Sequence, residues 1–353
     1  MSIRVLVVDD SAFMRKAISM MLETDPEIKV IATARDGLEA IKKNLELKPD
    51  IVTLDVEMPR MDGLTALKKI MKENPVPILM VSSLTIEGAR TTIEALEAGA
   101  VDFIPKQLSY VSLDITNIKD DLISKVKHIV KSRTRFFQRE PRDIIREPEI
   151  YTFRHANAQI VVIGISTGGP FSLQKVIPNI PKTFPIPIAI VQHMPPHFTK
   201  SLAERLNATS QLEVVEAEHG MELTPGKVYI APGGFHMLFY KRESSVLITV
   251  SKEPSTTLHR PSVDVMFSSA NAIYGGKVIG IVMTGMGKDG LEGTKLLKKS
   301  GARIIAQDEE SCVVYGMPKA IVDAELADAV VPLEAIAETL TNAVNHAQPA
   351  STK

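Results

Sequence analysis

VVIGISTGGPFSLQKVI, residues 161–177, reads as strand, tight turn and helix in immediate succession. Val161–Ile165 is a short apolar run, the length of a buried strand and too short for a helix. The glycines at 164, 168 and 169 permit tight backbone geometry and close approach of a bound molecule. The helix that follows aims free N–H groups and its positive end back at the turn. A strand that feeds a helix in this way is the unit of a parallel sheet covered by helices.

The same alternation extends in both directions. QIVVIGI, IPIAIVQ, KVYIAP, VLITV, KVIGIVMT and ARIIAQ are expected as strands of a mostly parallel sheet. HMLFYKRESSVLITV, polar at its centre, is expected to fold as an antiparallel hairpin. Toward the N-terminus, Val5–Val8, Val30–Ala32, Ile51–Leu54, Ile78–Val81 and Val101–Ile104 are strand-like. Ala12–Leu22, Gly37–Asn44 and Asp114–Lys131 carry helical patterns. Residues 132–156, SRTRFFQREPRDIIREPEIYTFRHA, mix charges with Pro141 and Pro148 and have no period, so they read as a linker. Its Phe136, Phe137, Ile144 and Ile145 are apolar enough to dock on a domain surface. The expected fold class is therefore α/β in two domains, residues 1–131 and 157–347, with a disordered tail at 348–353.

The chain has 353 residues, room for about two domains at ~100–200 residues each. With 44% hydrophobic and 24% charged residues, each half can bury an ordinary core. A formal net charge of -1, with no block of like charge, argues against nucleic acid as a partner. The single cysteine, Cys312, excludes an intramolecular disulfide and suits a reducing compartment. No secretory leader is expected from MSIRVLVVDD, and no apolar run nears the ~20 residues that span a bilayer. A cytoplasmic protein without membrane insertion is the expectation.

Gly164-Ile165-Ser166-Thr167-Gly168 fits G-x-S-x-G, a sharp turn that exposes a serine hydroxyl. Such a hydroxyl needs a base, and sequence position separates the histidines. His193 directly follows the strand IPIAIVQ and so falls on the same sheet edge as Ser166. His128, His155 and His346 lie in the first domain, the linker and the tail, and His197, His219, His236 and His259 in loops or near strand ends. The base needs an orienting carboxylate, and Asp289 stands just past a buried strand in the Gly-rich TGMGKDG. The order Ser, His, Asp differs from the familiar triad folds, so an α/β-hydrolase fold is not expected despite the G-x-S-x-G match. Read alone, GxSxGG is more often a phosphate-binding turn than a catalytic elbow; His193 and Asp289 favour the nucleophile. Cys312 is expected as a buried structural thiol.

Asp9 and Asp10 end the first strand, and Asp55 ends another. C-terminal strand ends of a parallel sheet face one crevice, so three carboxylates converge. Two unit charges ~4 Å apart repel by about 4 kcal/mol at an effective dielectric near 20, and Mg²⁺ would relieve this. Ser82 and Lys106, also at strand ends, are placed to contact phosphoryl oxygens on Asp55, a carboxylate able to form an acyl phosphate. The bland alternative is that each Asp caps a helix.

VLVVDDS, TLDVEMPRMDG, MVSS and AGAVDFIPK resemble the receiver domain of two-component response regulators over nearly all of residues 1–130. The resemblance implies a flavodoxin-like, doubly wound parallel sheet. It also implies a histidine kinase as phosphodonor to Asp55, and Mg²⁺ on Asp9 or Asp10 together with Asp55. Ser82 stands where the family more often has Thr, and Phe103 matches an aromatic switch position without the Tyr hydroxyl.

GISTGGP, VQHMP, IAPGGFHM, HRPSVDVMF, TGMGKDG and QDEESCVVYGMP are similar to the catalytic domain of chemotaxis protein-glutamate methylesterases, the CheB family. This second resemblance covers about Gln159 to Ala347. It implies hydrolysis of glutamate γ-methyl esters, and deamidation of glutamines, on methyl-accepting chemoreceptors. Ser166 would be the nucleophile, His193 the base and Asp289 its orienter. Thr167 and Met286 match active-site positions, with backbone N–H donation expected. No cofactor is expected in this domain. The resemblance further implies recruitment to receptor arrays, and a first domain that covers the Ser166 cleft until Asp55 is phosphorylated.

Two other classes compete. A module whose Gly-rich loops cradle a nucleotide phosphate is disfavoured because no G-x-x-x-x-G-K-[ST] is present. A DNA-binding regulator is disfavoured by a second half too long, strand-rich and neutral for a helix-turn-helix.

Overall fold

The computed structural model describes residues 2–106, 114–137, 155 and 157–344, with backbone alone at 114–117 and 133–137. It divides into two compact units, Met1–Arg142 and Asp143–Lys353.

In the first unit the chain alternates strictly between strand and helix. It runs β1 (Ile3–Val8), α1 (Ala12–Leu22), β2 (Ile28–Ala34), α2 (Gly37–Leu47), β3 (Ile51–Asp55), α3 (Gly63–Glu73), β4 (Ile78–Ser82), α4 (Ile86–Glu97), β5 (Asp102–Pro105) and α5 (Asp114–Phe137). The sheet order is β2-β1-β3-β4-β5, and every pairing is parallel. The central strands lie between two layers of helices, so β3 and β4 are buried at every position, which is why they read as unbroken apolar runs. Four helices start at side-chain caps: Ser11, Asp36, Asp62 and Thr85 each accept a backbone N–H three residues on. A cap of this kind contributes ~1 kcal/mol. Helix α5 runs six residues past Lys131, so the first part of the expected linker, 132–137, is helical. The rest of that linker, apart from His155, and the expected tail lie outside the described residues.

The second unit runs β6 (Ile160–Ile165), α6 (Gly169–Val176), β7 (Ile188–Gln192), α7 (Phe198–Thr209), β8 (Glu213–Glu216), β9 (Lys227–Ile230), β10 (His236–Arg242) and β11 (Ser245–Ser251). It continues through α8 (Val263–Tyr274), β12 (Val278–Val282), α9 (Leu291–Lys299), β13 (Arg303–Gln307), α10 (Met317–Asp323), β14 (Ala329–Val331) and α11 (Ile336–Val344). Seven strands form one parallel sheet in the order β14-β13-β12-β6-β7-β9-β8. β10 and β11 make the expected hairpin, paired from His236↔Ser251 to Arg242↔Ser245. Sequence patterning passed over β8 and β14. Both are short edge strands, and β8 is bounded by exposed or half-buried glutamates, so neither shows the apolar run of a strand buried on both faces.

This topology positions the site. The chain lays β7, β9 and β8 on one side of β6, then returns to lay β12, β13 and β14 on the other. Such a reversal opens a crevice beyond the C-terminal ends of β12, β6 and β7. Among the described residues, no helix is long and apolar enough to cross a membrane.

Candidate functional site

Ser166 follows β6, His193 follows β7, and Asp289 lies in the loop after β12, so three adjacent strands bring together the three residues singled out from sequence. Ser166 sits in a turn tightened by Gly168, whose φ of +76° is one that L side chains rarely adopt. A Cβ there would come within 2.5 Å of Val313 Cβ. Gly285, from TGMGKDG, packs flat on the serine: a Cβ on it would approach Ser166 Cβ to 2.8 Å. Ser166 itself remains only partly buried.

The His193 Nε2 lies 2.8 Å from Asp289 Oδ2. An ionised carboxylate only accepts, so Nε2 carries the proton and Nδ1 presents a lone pair. Nδ1 is buried and has no hydrogen-bond partner among the described residues. The ring is therefore turned the opposite way from the familiar triad, in which Nδ1 faces the carboxylate.

Asp289 is held from several directions at once. Its Oδ2 also accepts from Val263 N at 2.7 Å, and its Oδ1 accepts from Ser262 Oγ and Asp264 N, both at 2.9 Å. These donors are the cap and first turn of α8, so the carboxylate sits on a helix N-terminus. Burial works against the charge, but His193 and the α8 donors outweigh it and hold this carboxyl well below the ordinary range. Asp264, in the first turn of α8, behaves oppositely. Burial first, then the charge of Asp289, pushes it up to about 6, although Gly293 N donates to it at 2.7 Å.

Asp264 also makes the stability of the second unit depend on pH. Its folded value lies above the ordinary ~3.9 of aspartate, so the folded chain holds a proton that the unfolded chain releases. That contribution is present below about pH 4 and is lost as pH rises through about 6. Asp264→Asn keeps an acceptor for Gly293 and removes the ionisation. It is expected to stabilise the second unit by about 1–3 kcal/mol at pH 8 and by little at pH 4. Unfolding midpoints at the two pH values check this; a gain of equal size at both would reject it.

Beneath the serine lies a buried polar lattice that sequence reading did not single out. Thr284 Oγ1 donates to Thr167 O at 2.9 Å and accepts from Val314 N at 3.0 Å. Gln307 Oε1 accepts from Thr284 N at 2.9 Å. Gln192 Nε2 donates to Ser166 O at 3.0 Å, tying the serine turn to β7. Thr284, Gln307 and Gln192 are all but fully buried, and their signal in the sequence was a polar residue at or just past the end of an apolar strand. Among the described residues the backbone N–H groups of Thr167 and Met286 donate to no protein acceptor. Met283 and Met317 are core, and Cys312 is buried.

The other histidines separate as well. His155 Nε2 meets Gly276 O at 2.7 Å, and His197 is the N-cap residue of α7. His236, the first residue of the hairpin strand β10, is fully buried, and the ring of His259 stacks on His193 with centroids 4.3 Å apart.

In the first unit, carboxylate oxygens of Asp9, Asp10 and Asp55 lie within 4.8 Å of one another. None of the three caps a helix: Ser11 and Asp62 do that for α1 and α3. The cap explanation for this acidic cluster therefore fails. Lys106 Nζ reaches Asp55 Oδ2 at 2.6 Å and Asp9 Oδ2 at 3.0 Å. Burial disfavours the charged lysine, but Asp55 and Asp9 prevail and raise its pKa. Burial also pushes Asp55 up to about 6 against the pull of Lys106, with Asp9 adding repulsion. This all-oxygen donor set, at the mutual spacing of ligands to one ion, fits a hard divalent cation such as Mg²⁺. The structure does not bring the Ser82 hydroxyl to Asp55. It accepts from Thr92 Oγ1 at 2.7 Å and faces Gly88 O at 3.2 Å, because α4 supplies those partners beside a fully buried serine. Phe103 is buried, with the Lys125 ammonium 5.7 Å from its ring centre.

Comparison with known proteins matches both units. The family model described as CheB methylesterase matches residues 161–340, and that described as response regulator receiver domain matches residues 5–115. A protein of Oleidesulfovibrio alaskensis named protein-glutamate methylesterase/protein-glutamine glutaminase 1 is 49% identical, over 97% of this chain and 99% of its own length. A Thermotoga maritima protein named protein-glutamate methylesterase/protein-glutamine glutaminase is 47% identical, over 97% of this chain and 98% of its own. The crystal structure of the Thermotoga maritima CheB methylesterase catalytic domain is 50% identical and covers 53% of this chain and 99% of that one, with a TM-score of 0.52.

Proposed function

Since the chain belongs to the CheB methylesterase family and carries a receiver domain ahead of the hydrolytic one, we propose that it is a phosphorylation-regulated hydrolase of protein side chains. It removes methyl groups from glutamate γ-esters and deamidates glutamines on chemoreceptors, in chemotactic adaptation. One observation carries the chemistry: three neighbouring strand ends gather Ser166, a His193 with a free buried lone pair, and the Asp289 that orients it.

The reaction follows from these groups. His193 Nδ1 takes the Ser166 proton as Oγ attacks the γ-carbonyl carbon. The Thr167 and Met286 N–H groups receive the oxyanion; in other enzymes one such donor contributes about 10²–10³ in rate. Collapse expels methanol or ammonia, protonated by the imidazolium. Water then attacks the acyl-enzyme with His193 again as base, leaving glutamate and free Ser166. Asp289, accepting from four donors, holds the ring in one tautomer and balances its transient charge.

In the receiver domain Asp55 accepts a phosphoryl group from a histidine kinase. Asp9, Asp10 and Asp55 would hold Mg²⁺, which when bound neutralises phosphoryl oxygens during transfer. Lys106, now bridging Asp55 and Asp9, is placed to pair with the new phosphate. Ser82 would reach that phosphate only after leaving Thr92 and Gly88. Phe103 is the aromatic that repacks in the same switch. Control is relief of inhibition: the unphosphorylated receiver domain restrains the hydrolase, and the protein works in the cytoplasm, recruited to receptor arrays.

Methanol release from methylated receptor membranes tests both halves. Wild type is expected to accelerate with acetyl phosphate and Mg²⁺. Asp55→Asn, or EDTA, should abolish that acceleration without abolishing basal turnover. Deleting residues 1–132 should raise basal turnover; an unchanged rate would reject inhibition by the first domain. No methanol under any condition, from a chain that still takes phosphate on Asp55, would favour the nucleotide-binding reading.

A further inference from the structure

The segment between β11 and α8 crosses the candidate active site as a strap. Buried His236 ties both of its ends: the Nε2 lies 3.1 Å from Pro254 O and 3.2 Å from Thr257 Oγ1, and Nδ1 accepts from Ser262 N at 3.2 Å. The Ser262 N–H can only donate, so Nδ1 is the acceptor and Nε2 carries the proton that the Pro254 carbonyl receives. The strap is tied again where Gly234 N donates to Arg260 O at 3.1 Å, and where Ser262 Oγ donates to Asp289. Within it Leu258 is 90% exposed, while the next residue turns inward. That residue, His259, lays its ring on His193 at 4.3 Å between centroids and 23° between planes.

Among the described residues the His193 ring has one polar anchor, the bond from Nε2 to Asp289. A single hydrogen bond fixes the distance of the ring but leaves it free to rotate about the bond axis. Among the described residues its other nitrogen has no partner that would stop that rotation. The flat face of a neighbouring ring does stop it, because tilting His193 would drive it into His259 or open a gap beside it. We infer that His259 is a positioning residue for the hydrolytic reaction: stacked on His193, it sets the plane in which Nδ1 meets Ser166, and the His236-tied strap holds it there. The inference rests on His193 being the general base. It also gives a reason for His236, otherwise a costly fully buried imidazole: through Ser262 and the strap it braces Asp289 and His259 together.

The test uses the full-length protein and a methylated receptor fragment, with methanol release as the assay. His259→Ala is expected to lower kcat about 10–100-fold, the scale of a small misplacement of a reacting group, with KM within about threefold. Labelling of Ser166 by a fluorophosphonate should slow in step. His259→Phe keeps a flat ring of similar area and should recover kcat to within about threefold of wild type. Thermal unfolding of each variant separates loss of the ring contact from loss of the fold. His259→Ala at wild-type kcat, or His259→Phe as impaired as His259→Ala while both remain folded, would overturn the inference. His193→Gln is run beside them: if it stays active, the general-base reading itself is wrong, whatever the His259 variants do.

Discussion

Ser166→Ala should lower kcat for methyl-ester hydrolysis by about a millionfold, the scale seen when a triad serine is removed elsewhere. The expectation rests on the lack of a substitute among neighbouring hydroxyls. Thr284 Oγ1 is committed to Thr167 O and Val314 N, and Ser262 Oγ to Asp289. Both donate into buried acceptors, and turning either outward would leave such a group unpaired at a cost of about 1–3 kcal/mol. The Thr167 hydroxyl belongs to an all but fully buried side chain. Residual turnover should come only from the oxyanion donors and from substrate binding, both of which survive the change. Methanol release under saturating receptor, with fluorophosphonate labelling as a covalent control, measures it. A variant within a hundredfold of wild type would remove Ser166 from the nucleophile's role.

The second large effect is at Asp289. Asp289→Asn is expected to lower kcat about 10⁴-fold while leaving KM nearly unchanged. The wild-type carboxylate accepts two donors on each oxygen: His193 Nε2 and Val263 N on Oδ2, Ser262 Oγ and Asp264 N on Oδ1. An asparagine must point its NH₂ at one of those pairs. Placed toward His193, it drives the ring to accept at Nε2 and to carry its proton on Nδ1, where no base remains for Ser166. Placed toward α8, it faces the Asp264 N–H, and only the Ser262 hydroxyl can rotate to accept. Either way the imidazolium that forms during turnover loses the negative charge that balances it. Single-turnover acylation rates distinguish the two orientations from a binding defect: the loss must appear in acylation and not in substrate affinity. Activity within tenfold of wild type would mean that another group orients His193.

Much of this protein was legible as a string of residues because its two sheets are parallel. Central strands buried on both faces must be continuous apolar runs, so β3, β4, β6, β7 and β12 announce themselves. Their C-terminal ends are where chemistry collects, so Ser166, His193, Asp289, Asp55 and Lys106 were found by asking which reactive residue follows each run. Edge strands escaped that logic. β14 has three residues and β8 four, and neither needs a second apolar face.

What the chain's order of residues could not determine was which groups spend their hydrogen bonds on one another. Ser82 ends a buried strand as expected, yet its hydroxyl is taken by Thr92, ten residues on in the next helix. His236 and His259, ranked behind His193 by position, turn out to brace and to cover it. Asp264 and Asp289 come to share one helix start across 25 residues. The central apolar strands and the residue types at their ends are local properties, carried by runs of five or six side chains, and the sequence alone determined them. The tautomer and plane of His193, the divergent titration of two neighbouring carboxyls and the strap over the site depend on groups brought within about 3–4 Å by separate elements. Only the tertiary structure decides such contacts, because a hydrogen bond or a ring stack loses its hold within an ångström of misplacement, while burial tolerates far more.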